Sequence, residues 1–273
     1  MHLHTPLFPQ LSLRSAEAFS AKQKILLRFE IMSLLKTVGR LVPDPLVKVF
    51  HRPSLRYSGH FFALQRLVGY TARELLLWNV MQFVSMNRVA GDYLEFGVFE
   101  GDNFAASYHL AQSFGLKSMR FYAFDSFDGL PGIQGVDAHG FRHFQEGEFR
   151  TASGTFERNV ISKGVDRTKM MVTSGWFGEV LNEHTRRSLP IGKAAVVFID
   201  CDLYESTVPV LDFITDYVQE GTVLIFDDWF CFRGNPDRGE QRAFSEWLQK
   251  HPEIRAIELF RFGWQHNSFV LQC

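Results

Sequence analysis

Two apolar runs, each closed by a pair of acids, constrain this 273-residue chain more than any other feature. The first is Ala194-Ala-Val-Val-Phe-Ile-Asp-Cys-Asp202, continuing Leu-Tyr-Glu-Ser-Thr207; the second is Thr222-Val-Leu-Ile-Phe-Asp-Asp-Trp229. Short uninterrupted runs of β-branched and aliphatic residues are the pattern of strands buried on both faces of a parallel sheet. In such sheets ligands gather outside the carboxyl ends of the strands. Asp200, Asp202, Asp227 and Asp228 are therefore expected side by side on neighbouring strand ends. Carboxylates crowded in this way suppress one another's ionisation unless a cation or shared protons relieve them. All-oxygen donors suit a hard cation such as Mg²⁺ rather than zinc. Capping of the following helices is the competing, purely structural use of strand-end acids.

The length fits one large α/β domain with a small helical appendage. A formal net charge of −1 without a basic block argues against nucleic acid as a partner. Cys201, Cys231 and Cys273 form no metal-ligand spacing, and so sparse a set suits a reducing compartment. The start, MHLHTPLFPQ, has neither the basic nor the apolar region of a signal peptide. No run reaches the roughly 18 apolar residues of a membrane span. A soluble, cytoplasmic protein is the expectation.

In chain order, residues 22–40 carry apolar residues at helical spacing, ended by Pro43 and Pro45. This helix offers a surface for self-association into a homo-oligomer. Thr71-Ala-Arg-Glu74 is a capping-box signature that predicts a helix to about Asn87. Tyr93–Phe96 reads as the first strand, followed by a turn with Gly97 and Gly101 and a helix from Asn103. The turn lets the backbone approach a ligand, and the helix N-terminus presents free N–H groups. Arg120–Phe124 reads as the second strand; Asp125 at its end is placed to accept ribose hydroxyls.

Residues 126–155 form a long loop rich in Gly, His and Phe, read as a lid over the substrate. Within it, His139 and His143 are candidate proton acceptors or substrate contacts. A helix over 155–163, a third strand over 169–173 and the segment Ser174-Gly-Trp-Phe177 follow; Trp176 can stack on a flat heterocycle or fill the core. The remaining expectations are strands over 194–199 and 222–226, helices over 206–219 and 239–250, and an antiparallel edge hairpin over 254–262 and 268–272. Strands alternating with helices and closed by a hairpin describe a doubly wound α/β sheet of about seven strands.

In order, YLEFGVFEG, FYAFDSFDGLP, SGWF, VVFIDCDLYEST and LIFDDW resemble the macrocin O-methyltransferase family, metal-dependent methyltransferases of sugar hydroxyls. The resemblance implies a Rossmann-like class I methyltransferase fold over 89–273, preceded by a helical extension over 1–88 for substrate or subunit contacts. It implies S-adenosylmethionine and Mg²⁺ as cofactors and a sugar or glycosylated natural product as acceptor. By position in the motifs, Glu95, Gly97, Gly101, Asp125, Ser126, Gly175 and Trp176 fall on the cofactor site. Asp200, Asp227 and Asp228 fall on the metal ligands, and Asp202 on the general base, with His139 a rival for that role. One departure is the segment GEVLNEHTRRSLP after SGWF, longer and more basic than the short turn usual in the family. A metal-dependent glycosyltransferase gripping a diphosphate through Asp200 and Asp202 is the alternative enzyme, and a cofactor-binding protein without turnover is the alternative non-enzyme. Tyr204, in the place of a threonine, argues against a dehalogenase-type phosphatase.

Overall fold

The two acid-tipped runs form adjacent parallel strands near the middle of a seven-stranded sheet. The computed structural model describes residues 71–138 and 144–273, which fall in the compact unit Tyr70–Cys273. Helix 22–40, His139 and His143 lie outside the described residues. β1 (Asp92–Phe96) pairs in parallel with β2 (Phe121–Asp125) and, on its other side, with β4 (Ala194–Ile199). β3 (Met170–Ser174) extends the sheet beyond β2, and β5 (Val223–Phe226) extends it beyond β4, both in parallel. β6 (Arg255–Phe262) and β7 (His266–Gln272) form the antiparallel hairpin, giving the order β3-β2-β1-β4-β5-β7-β6. The order reverses between β1 and β4, the place where open α/β sheets open a crevice.

Every residue of β4 and β5 is buried, as continuous apolar runs require when helices cover both faces. Side chains alternate between the faces. Leu94 and Phe96 of β1 join one cluster with α6 (Tyr204–Ile214) and α7 (Gly239–Lys250). Tyr93 and Glu95 turn to the opposite face, where the Tyr93 ring meets Phe104 of α2 (Asp102–Ser113). α1 (Ala72–Met86) packs on α2 and on β6. Much of the phenylalanine excess is core. Phe96 stacks on Phe124 with centroids 4.6 Å apart, and Phe213 meets both rings at a steep angle. Burying one such ring is worth about 1.5–3 kcal/mol.

The capping box at Thr71 is formed in both directions: its hydroxyl accepts from the Glu74 N–H, and the Glu74 carboxylate accepts from the Thr71 N–H. α1 therefore starts where the sequence predicts, but it packs within the sheet's own compact unit, whereas a boundary at 88/89 assigns it to the extension. α3 (Ser153–Ser162) matches its expected helix to within two residues. The segment departing from the family pattern folds into two short helices, α4 (Phe177–Val180) and α5 (Glu183–Ser188). α6 stops at Ile214 rather than near Gln219 because the N–H groups of Tyr217 and Val218 both turn back to the Ile214 carbonyl. Thr215, held by the Trp247 indole at 2.9 Å, anchors that turn. No helix among the described residues is long and apolar enough to cross a membrane.

Candidate active site

The four acids leave the ends of β4 and β5 in opposite directions, because the alternation continues past the strands. Ile199 and Phe226 belong to the α6–α7 side. Asp200 and Asp227, one residue further, turn to the α1 side, where both carboxylates meet Arg73. Arg73 Nη1 lies 3.4 Å from Asp200, and Nη2 donates to Asp227 Oδ2. That same oxygen accepts from Gln265 Nε2 at 3.1 Å, and His266 Nδ1 sits 2.9 Å from Asp227 Oδ1. Asp228 turns the other way. Its N–H donates to Glu240 Oε2 at 2.9 Å, and its Oδ1 accepts from Cys231 Sγ at 3.2 Å. Asp202 stands at φ +62°, a left-handed conformation that Asp tolerates better than most residues and that occurs at functional positions.

Among the described residues the charges are poorly balanced. Asp202, Asp227, Asp228 and Glu240 are buried, and Asp200 is half-buried, against Arg73 and His266 as basic neighbours. Burial, then the Asp227 charge, pushes Asp228 up to about 6 and Asp200 well above the usual carboxylate range. Burial, then the charge of Asp228, raises Asp202 and Glu240 in the same way. Burial also acts to raise Asp227, but the His266 ring and the Arg73 charge outweigh it and hold this carboxyl below its ordinary value. Glu240 Oε1 is buried without a hydrogen-bond partner. Carboxylates this short of countercharge fit a divalent cation with oxygen ligands. Asp200, Asp202 and Asp228 each bring one oxygen to within 4.8 Å of the others. The triad expected from the motifs was Asp200, Asp227 and Asp228. Here Asp202 stands with Asp200 and Asp228, since Asp227 is held by Arg73 and Gln265.

These acids line a cleft of about 920 Å³. Gly97, Asp125, Ser126 and Trp176 line the same cleft. Gly97 is at φ +84°, and a Cβ there would fall on the Asp200 carbonyl oxygen, so only glycine lets the two strand ends approach. Asp125 organises the turn: Oδ2 accepts from Val98 N–H at 2.7 Å and Phe99 N–H at 3.2 Å, and Oδ1 from Phe127 N–H at 2.7 Å. The Ser126 hydroxyl accepts from Asp128 N–H and donates to the Gly129 carbonyl. Leu130 and Phe144 from the long loop cover the cleft, and Trp264 from the β6–β7 turn stands 65% exposed at its wall.

Three expected cofactor residues are not in the cleft wall. A Cβ on Gly101 would strike Phe156 and Val160 of α3, and one on Gly175 would strike Val180, so both glycines answer to packing. Glu95 lies on the α2 face, where the Tyr93 hydroxyl donates to it at 2.5 Å; burial raises its carboxyl to about 7. Sequence reasoning missed Arg73, Glu240, Gln265 and His266. It also missed Asp137, whose buried carboxylate accepts from the N–H groups of Tyr204 and Gly239 and so pins the loop to α6 and α7. Only the acid Glu240, in the first turn of a predicted helix, carried a local signal.

A mostly parallel seven-stranded sheet with β7 antiparallel beside β5, and a cleft at the strand ends, defines the class I methyltransferase fold. Two solved structures share it. The O-methyltransferase NovP is 22% identical with a TM-score of 0.60, covering 73% of this chain and 79% of its own. The calicheamicin methyltransferase CalS11 is 20% identical with a TM-score of 0.59, covering 99% and 98%. The chain belongs to the macrocin-O-methyltransferase (TylF) family, whose model matches residues 66–255. Among curated relatives, a tetracenomycin rhamnosyl 4'-O-methyltransferase of Streptomyces olivaceus is 27% identical over 60% of this chain and 62% of its own length. Mycinamicin III 3''-O-methyltransferase of Micromonospora griseorubida is 27% identical over 52% and 56%. The chain thus spans a little over half the length of the curated relatives it matches.

Proposed function

We propose that this chain is an S-adenosylmethionine- and Mg²⁺-dependent O-methyltransferase that methylates a sugar hydroxyl of a glycosylated small molecule. The observation that carries this reading is that one cleft is lined both by Gly97 and Asp125 and by Asp200, Asp202, Asp227 and Asp228. Family membership favours it over a diphosphate-gripping glycosyltransferase.

When bound, S-adenosylmethionine supplies an electrophilic methyl, and a divalent cation supplies a Lewis acid for the acceptor's oxygens. Asp200, Asp227 and Asp228 are the residues we assign to the cation, as the family motif implies. Trp176 and Ser126 wall the nucleoside end, and Asp125 keeps the glycine turn in the shape that receives it. Asp202 takes the hydroxyl proton at its carboxylate oxygen as the methyl transfers. Leu130 and Phe144 exclude water from the reacting atoms.

The test is release of S-adenosylhomocysteine with a panel of glycosides bearing adjacent free hydroxyls, with Mg²⁺ and with EDTA. Turnover in Mg²⁺ that EDTA abolishes is expected. Cofactor binding without turnover on any diol would make the chain a binding protein, and turnover indifferent to EDTA would remove the metal from the reading.

A further inference from the structure

Among the described residues, Arg73 is the one side chain that touches acids from both central strand ends through a guanidinium. Its helix is fixed at the first turn by the Thr71–Glu74 capping box, two residues from the charge it carries. The guanidinium reaches Asp200 on β4 and Asp227 on β5 together, and its carbon lies 5.9 Å from the Phe198 ring centroid. Asp227 Oδ2 already serves two donors, Arg73 and Gln265. A cation drawing on Asp200 and Asp227 shares carboxylates whose charge Arg73 already compensates through one oxygen of each, and a second positive charge at that distance is repelled by the first.

We propose that Arg73 is a built-in competitor of the divalent cation: it pairs Asp200 and Asp227 in the metal-free protein, and must release them for the cation to bind. The inference rests on the metal reading of the site. The guanidinium between Asp200 and Asp227 compensates two of the crowded carboxylates, and a cation that draws on them takes over that compensation. Arg73 is thus a positioning residue that sets the affinity for the cation, and the withdrawal of one side chain on α1 joins Asp227 to the ligand set.

The test is direct Mn²⁺ binding to the full chain, followed by electron paramagnetic resonance of the free ion, for the parent protein, Arg73→Gln and Arg73→Lys. Arg73→Gln is expected to bind Mn²⁺ tighter by about tenfold or more, equivalent to about 1.4 kcal/mol. Arg73→Lys, which keeps the charge but loses the fork, is expected to fall between. Melting curves give a second readout: Arg73→Gln melts below the parent in EDTA, and Mn²⁺ closes the gap. Should Arg73→Gln fail to fold in EDTA, the lysine variant alone carries the comparison. Equal or weaker Mn²⁺ binding by the variants overturns the competition and leaves the metal site standing. Absence of Mn²⁺ binding by every form overturns the metal reading, and the competition with it.

Discussion

Asp227 is the acid whose surroundings differ most from those of its neighbours. Arg73, Gln265 and the His266 ring hold it ionised while burial drives Asp200, Asp202 and Asp228 toward the protonated form. Asp227→Asn is expected to lower turnover about a thousandfold, the several kcal/mol that a bound cation contributes, while S-adenosylhomocysteine affinity stays within a factor of three. A variant with full Mg²⁺-dependent turnover would remove Asp227 from the ligand set. Asp202→Asn is expected to keep Mn²⁺ binding and slow the reaction by about 10²–10⁴, the range for a lost general base; loss of Mn²⁺ binding instead would make Asp202 a ligand. Glu95 gives a pH signature of its own. Raised from 4.5 to about 7 in the fold, it keeps a proton that the unfolded chain has lost. The folded state then binds more protons across that window, so Glu95's contribution to stability falls as pH rises from about 4.5 to 7. Glu95→Gln should therefore match the parent's melting temperature at pH 5 and exceed it at pH 8. A variant less stable than the parent at pH 8 would show that the ionised carboxylate is needed opposite Arg73.

At the scale of elements, the turn after β1 and the start of α1 carry the site. Gly97→Ala puts a methyl onto the Asp200 carbonyl at a φ that disfavours side chains, and is expected to destabilise the chain by more than about 1 kcal/mol and abolish S-adenosylhomocysteine binding. Calorimetry showing parent-like binding would contradict the close approach of the two strand ends. The strand runs and their acid tips were legible because a fully buried strand must be apolar throughout, and the acids begin where burial by helices ends. From the sequence all four acids are expected side by side, whereas odd and even positions of a strand face opposite ways and so separate Asp227 from Asp228. Arg73 was not legible. It lies 154 residues from Asp227, and nothing in a capping-box helix announces that its second residue reaches the strand-end acids. At Gly101 and Gly175 the structure shows a packing reason for glycine, which a motif does not reveal: a glycine looks the same whether a ligand or a valine needs the space.

At the scale of the molecule, the alternation of strands and helices together with the final hairpin predicts a doubly wound sheet of about seven strands, and the structure has seven; their order is a property of the structure that alternation alone does not fix. The extent of the domain was less legible. α1 looks like the end of an N-terminal extension in sequence, yet its buried Leu76, Leu77, Val80, Met81 and Val84 face the sheet's own layers. The same helix that completes the fold thereby brings a cation to the acids. On the proposed reading the cofactor draws on the glycine turn and the cation on the strand-end acids of one cleft, so their binding should be separable. Calorimetric titration of the chain with S-adenosylhomocysteine, in Mg²⁺ and in EDTA, tests the cofactor end most directly. Micromolar binding of equal strength in both buffers is the predicted result; no binding in either would contradict the methyltransferase assignment.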